Sequence, residues 1–202
     1  MAPPNQPQTY ILPPTPYAPN SPLPVLVYRK ALPEPVTEES SQKFIEENGW
    51  ERRGPVNKAI PRERYFHRNA HQCYGILSGS SQVLLGVGTG DANTCLTSKS
   101  EANTGPIGAL VTLDAGDVII YPAGTAHSDV SDEEGCTYIA FSPDGSPHCS
   151  PENGSKLIED LHAVRAETLA VPIPQDPVVK GAGYLRVLWK EALKRHSIGS
   201  GL

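Results

Sequence analysis

Proline and glycine punctuate this chain so densely that long regular elements have little room between them. The 202 residues include 21 prolines and 18 glycines. The apolar runs are short and end in turn residues: "PLPVLV", "QCYGILSG", "SQVLLGVG", "ALVTLDAGDVIIYPAG" and "CTYIAFSP". Proline fixes φ and removes a backbone donor, and glycine opens turn conformations that other residues avoid, so both mark boundaries. The pattern predicts an all-β chain of short strands joined by turns, with a few peripheral helices. None of these runs is long enough to span a bilayer. The length suits one domain with a real core. A formal charge of −5 without a clustered Lys/Arg patch excludes nucleic acid as an expected partner. The N-terminal "MAPPNQPQTYILPPTPYAPN" has no basic stretch followed by an apolar core, so no secretory signal is expected. Cys73, Cys95, Cys136 and Cys149 lack metal-ligand spacing, and the expectation is a cytoplasmic protein with free thiols.

Along the chain, residues 1–24 read as a Pro-rich extended arm that either wanders or lies over the domain, loosely ordered before about residue 8. Residues 25–190 read as one domain and 191–202 as a tail. "LPVLVYRKAL" (23–32) predicts a strand. "TEESSQKFIEENGW" predicts a helix over 37–48, with Thr37 as its cap and Asn48-Gly49 as its stop. From about 59 to 142 the signals are almost all β. The polar, Gly/Ser/Thr-rich interval 88–108 reads as a mobile loop that trypsin would cut near Lys99. Residues 155–169 show helical spacing, with Leu157, Ile158, Leu161 and Val164 on one face, and "RVLWKEALKRH" (186–196) predicts a short closing helix.

Two stretches carry the functional signal, "YFHRNAHQCYGILSG" (65–79) and "GDVIIYPAGTAH" (116–127). Together they resemble the two-part signature of the cupin superfamily. In the first part Ala59 stands for the opening glycine, Tyr65 for the first histidine, His67 for the second, Gln72 for the glutamate and Gly79 for the closing glycine, with every interval kept. In the second, Gly116, Pro122, Gly124 and His127 match, and Ser131 replaces an asparagine. The flanks "PNSPLPVLVYRKAL", "FIEENGW" and "PIPQDPVVKGAGYLRVLW" are similar to those of the YjlB-like single-domain cupins, a likeness over roughly residues 19–190. In that family the first motif usually runs His-x-His-Ser-x-x-His-Glu. The resemblance implies a double-stranded β-helix, the jelly-roll cupin barrel, with its core at about 59–142. It also implies a homodimer, a small-molecule substrate, and a divalent metal (Fe, Mn, Ni or Zn) in the barrel mouth.

Strand geometry gives the motif its physical sense. Alternate residues share a face, so 65 and 67 point inward, and 72 does so again, followed by Tyr74 and Ile76. His127 arrives from the far strand after the "PAG" turn. A bound ion would take His67, Gln72 and His127 as ligands, with Tyr65 beside or upon it, an arrangement that leaves coordination positions open for catalysis. Gln72 offers a neutral carbonyl oxygen where the motif has a carboxylate. The alternatives are a metal-free pair of hydrogen-bonded histidines, Gln72 as a plain hydrogen-bonding group, and Tyr65 as a barrel-lining ring or a phenolic acid/base. His71 is expected to point outward or into the turn. Cys73 and Cys136 read as core, and His148, His162 and His196 as surface. Asp117 reads as structural, and Asp132, Glu133 and Glu134 as a solvated loop. Three function classes follow. One is a metal-dependent lyase, isomerase, decarboxylase or dioxygenase acting on a carboxylated or polyhydroxy substrate. Another is a metal-free enzyme using Tyr65 and His127 as acid and base. The third is a small-ligand-binding protein with a degraded metal site.

Overall fold

The computed structural model describes residues 6–91, 107–131, 135–148, 150–181 and 183–199. The described strands are β1 (Gln8–Tyr10), β2 (Val25–Tyr28), β3 (Trp50–Arg52), β4 (Gln72–Ser78), β5 (Ser80–Leu85), β6 (Ala109–Asp114), β7 (Val118–Tyr121), β8 (His127–Asp129) and β9 (Thr137–Pro143). Three helices accompany them: α1 (Glu38–Glu46), α2 (Leu161–Ala170) and α3 (Gly183–Gly199). One antiparallel sheet runs β1-β2-β7-β4-β9-β3 and the other β6-β5-β8. Strands distant in sequence become neighbours, β7 between β2 and β4 and β8 beside β5. The fold is therefore a jelly-roll β-barrel. Among the described residues no helix is long and apolar enough to cross a membrane.

The larger sheet is buried on both faces, which explains why its central strands read as continuous apolar runs. Val25, Val27, Tyr74, Ile76, Ile119 and Tyr121 face Val83, Leu85, Val111 and Leu113 across the barrel interior. The alternate residues Leu26, Tyr28, Cys73, Val118, Ile120 and Phe141 form an outer layer, covered by Ile45 of α1 and by Leu185, Trp189 and Ala192 of α3. Between β4 and β5 the chain reverses at Gly79, whose φ is +71°, and a Cβ there would stand 1.9 Å from the Gly135 carbonyl oxygen. No other residue fits that turn. Asp117 is structural, as expected: it accepts from the Lys30 and Asp114 backbone N–H groups and from Arg29.

The helices follow their caps. Thr37 and Ser40 close a reciprocal capping box on α1, and Gly49, with φ +77°, follows its end. The helix expected over 155–169 begins only at Leu161, because Asp160 caps it by accepting from the Ala163 N–H at 2.8 Å. Residues 155–160 are not helical, and Leu157 is 63% exposed rather than part of a buried face. The closing helix is longer than 186–196 and includes most of the expected tail. Its start is fixed by buried Asp176, which accepts from the N–H groups of Val178, Val179 and Leu185 and from the Tyr28 hydroxyl at 2.5 Å.

The described part of the Pro-rich arm lies over the barrel. β1 pairs with β2, and Leu12 and Ala18 are buried. Asn20 donates to the Pro13 and Gly86 carbonyls and accepts from the Ala126 N–H. Residues 88–91 of the expected mobile loop are tied down: Thr89 and Gly90 donate to the carbonyls of Asn153 and Gly154, and Asp91 accepts from Thr15. Residues 92–106 of that loop, with Cys95 and Lys99, lie outside the described residues, as do Asp132, Glu133, Glu134 and Cys149.

Candidate functional site

The two motif stretches are joined through their backbones. Tyr65 and His127 exchange a pair of N–H···O=C bonds of 3.2 and 3.0 Å. Gly124 of the "PAG" turn donates to the His67 carbonyl at 2.6 Å, and Ala123 donates to His71 Nδ1 at 2.9 Å. Gly124 has φ +84°, and a Cβ on it would stand 2.6 Å from the Thr168 methyl, so glycine here lets α2 approach the turn. His71 therefore faces away from the barrel interior, as expected, but it is wholly buried against Trp189 at 4.7 Å and acts as a strut for the turn. Burial pulls its pKa down to about 4, opposed by the carbonyls of Val171 and Pro172.

This joining gathers aromatic rings at the barrel interior. Tyr65 lies 5.5 Å from His67 and 4.5 Å from His127, centre to centre, so the structure brings together these three residues singled out from sequence. Two further rings complete the cluster. Tyr121 stacks on His127 at 4.0 Å with an interplanar angle of 14°, and Tyr74 meets His127 edge-on at 5.8 Å. A hydrogen-bond chain runs through them. The hydroxyls of Tyr65 and Tyr74 are 2.5 Å apart, the Tyr74 hydroxyl is 3.2 Å from His127 Nε2, and His127 Nδ1 is 3.0 Å from the Thr125 carbonyl. His127 is only 1% exposed. Desolvation lowers its pKa to about 3 and raises that of Tyr65 to about 12. Burial also holds the Tyr74 and Tyr121 hydroxyls well above the usual phenol range. The chain is neutral throughout at pH 7.

Gln72 pairs with Tyr121 across β4 and β7, on the inward-facing side it was expected to take, but its side chain makes no hydrogen bond to a described residue. His67 is buried, and its Nδ1 has no partner among the described residues. Desolvation lowers its pKa, with the Ser150 carbonyl and Glu152 pulling the other way. Cys73 and Cys136 are buried free thiols, both shifted upward by burial. His148 and His162 are exposed.

Beside this cluster opens a groove of about 1100 Å³ between the 61–68 segment, the 151–160 segment and α2. Tyr65 and His67 form part of its wall, Ile158 and Val164 give it an apolar stretch, and five carboxylates of the described residues line it against Arg64, Arg68 and Lys156. Phe66 and Glu152 exchange backbone hydrogen bonds that hold two of the walls together. Arg68 Nη2 donates to Glu152 at 2.7 Å, its Nε lies 2.7 Å from the other carboxylate oxygen, and its Nη1 is 3.6 Å from Glu167 of α2. Half-buried Tyr65 thus stands between the groove and the hidden Tyr74–His127 pair.

The metal expectation meets these residues unevenly. Imidazoles held neutral by burial are good ligands in principle. Yet His127 Nε2 is engaged by the Tyr74 hydroxyl, Nδ1 by a carbonyl, and one ring face by Tyr121. Among the described residues no group of three or more His, Cys, Asp and Glu is placed to hold an ion. The donor set does not fit a divalent cation as it is arranged. Sequence reading placed Tyr74 inward but gave it no part in the site, and it passed over Tyr121 and Thr125. The available signal was parity: Gln72 and Tyr74 share a face, and Tyr121 sits opposite Gln72.

No family model matches the sequence, and no curated protein matches it. Among solved structures the chain is similar to procruciferin, a globulin of Brassica napus (10% identity, TM-score 0.34, 64% of this chain and 27% of that one). It is also similar to the oxalate decarboxylase of Bacillus subtilis, a protein with Mn(II) centres (17% identity, TM-score 0.34, 79% and 37%). A third is vicilin of Corylus avellana (12% identity, TM-score 0.33, 74% and 36%). The chain thus spans between about a quarter and two fifths of the length of each. All three likenesses are at low identity, and none concerns the narrower YjlB-like group.

Proposed function

We propose that this jelly-roll barrel binds a small polar molecule without a metal, in the groove beside Tyr65 and His67. The observation that carries the reading is the Tyr74–His127 hydrogen bond: the imidazole nitrogen an ion would need has a protein partner, and rings fill the space around it. The groove has the size of a small-molecule site, with an apolar stretch and a few polar groups to orient a ligand. A second reading, a metal-free acid/base enzyme, is favoured by the continuous path from Tyr65 through Tyr74 to His127. In that reading Tyr65 touches substrate, and His127 acts through Tyr74.

Elemental analysis of protein purified without a chelating resin tests the metal-free reading, with a substoichiometric ion content expected. A stoichiometric divalent ion that His127→Ala removes would reverse it. Thermal-shift screening of small alcohols, sugars and acids should find ligands whose stabilisation disappears in Tyr65→Phe. Conversion of such a ligand on prolonged incubation would favour the enzyme over the binder.

A further inference from the structure

We infer that Tyr65 presents the groove with a hydrogen-bond acceptor, so the site selects a ligand that donates there, an alcohol rather than a carboxylate. The inference rests on the metal-free reading and deepens it by fixing the polarity of the contact. It follows from the direction of each proton in the chain. The Thr125 carbonyl can only accept, so His127 Nδ1 carries the hydrogen. The ring is buried between Tyr65, Tyr74 and Tyr121, with no carboxylate of the described residues against it to stabilise an imidazolium, so Nε2 is a bare lone pair. The Tyr74 hydroxyl must give its one proton to that nitrogen. The Tyr65 hydroxyl, next in line, can then only donate to the Tyr74 oxygen. Its proton is committed inward, and lone pairs are what remain for the groove.

Reversing the contact would require Tyr74 to turn its proton away from Nε2, which leaves two acceptors facing each other in a buried site. The charge around the groove points the same way. Among the described residues five carboxylates line it against three basic side chains. Arg68 is already committed to Glu152 and Glu167, and Arg64 donates to the Gly88 and Asp91 carbonyls. A carboxylate ligand would meet acceptors and an excess of like charge, offset only in part by Lys156. An alcohol would meet a waiting lone pair.

Two measurements test this on the full chain. Nitrogen-15 NMR of labelled histidine should report the Nδ1–H tautomer for His127 at pH 7. An Nε2–H tautomer or an imidazolium overturns the inference. Benzyl alcohol, benzyl methyl ether and benzoate share a ring but offer a donor, an acceptor only, and an anion. NMR titration should find the alcohol about fivefold tighter than the ether, the difference of one neutral hydrogen bond. Benzoate should be weakest, and Tyr65→Phe should erase the alcohol's advantage. Benzoate binding tightest and losing affinity in Tyr65→Phe refutes the selection, as does a groove that none of the three probes perturbs. A stoichiometric ion on His127 would end the metal-free reading instead, and elemental analysis distinguishes that failure from the wrong tautomer.

Discussion

Tyr74→Phe removes a single oxygen that serves two neighbours, and its cost can be worked from the geometry. The ring contacts to Tyr121 at 5.1 Å and Tyr138 at 4.5 Å remain. What goes is the 3.2 Å bond to His127 Nε2 and the 2.5 Å bond to Tyr65. His127 is left with a buried, unsatisfied acceptor, at a cost of about 1–3 kcal/mol. Half-buried Tyr65 can turn its proton toward the groove and recover most of its loss. The sum is about 2 kcal/mol of stability, or a fall in Tm of about 4–8 °C for a chain of this size. Urea unfolding at pH 7 measures it, with an unchanged m-value expected. A double-mutant cycle isolates the chain itself. Tyr65→Phe should cost about 1 kcal/mol in the native background and almost nothing beside Tyr74→Phe, because its partner is already gone. Additive costs would mean that the three groups do not act as a connected chain, and the reasoning would fail.

Other substitutions probe the frame around the site. Asp176→Ala strips the acceptor from the Tyr28 hydroxyl and three backbone N–H groups at once, so a loss of more than about 3 kcal/mol is expected, with α3 fraying first in hydrogen exchange. His71 and His127 have folded pKa values near 4 and 3, depressed by burial from 6.5, so as pH falls the unfolded chain takes up protons first. Their stabilising contribution is complete above about pH 6.5 and is lost at about 1.4 kcal/mol per pH unit each between roughly pH 6 and 4, so His71→Gln should lessen the slope of stability against pH over that range. Gln72→Glu alone should not confer tight metal binding, since His127 Nε2 stays engaged. Combined with Tyr74→Phe it should raise zinc uptake measured by elemental analysis, and equal uptake by both variants would show that Tyr74 is no obstacle.

Much of the architecture was legible in the sequence because it rests on backbone requirements that leave residue-level marks. Thr37 and Gly49 bracket α1, and the alternation of Gln72, Tyr74 and Ile76 fixes their shared face. The reading failed where a local cap competed with periodicity. The spacing of Leu157, Ile158, Leu161 and Val164 is helical on paper, but Asp160 satisfies the first turn of a helix that starts after it, and the two earlier residues fall outside. β2 was legible as a strand, but its place beside β7, and that of β1 at the edge of the larger sheet, lay outside the 59–142 stretch read as the barrel. Strand pairing of that kind is set by tertiary packing, which no local pattern announces.

The site divides along the same line. Gly79 and Gly124 sit where φ is positive and a neighbour leaves no space for a Cβ, and Pro122 shapes the turn that brings His127 beside Tyr65. Those positions serve the barrel whether or not an ion is bound, and they match the cupin signature. Positions 65 and 72 answer to no such requirement. A tyrosine at 65 meets the sheet's steric demands as well as a histidine does, and it reaches the Tyr74 hydroxyl that stands against His127 Nε2. Chemistry at this site is set by which side chain claims that nitrogen, a choice made by residues far apart in the sequence. The spacing of either motif alone does not contain it. A motif of this kind states where a pocket's backbone will lie, and the partners of its buried polar atoms state what the pocket can do.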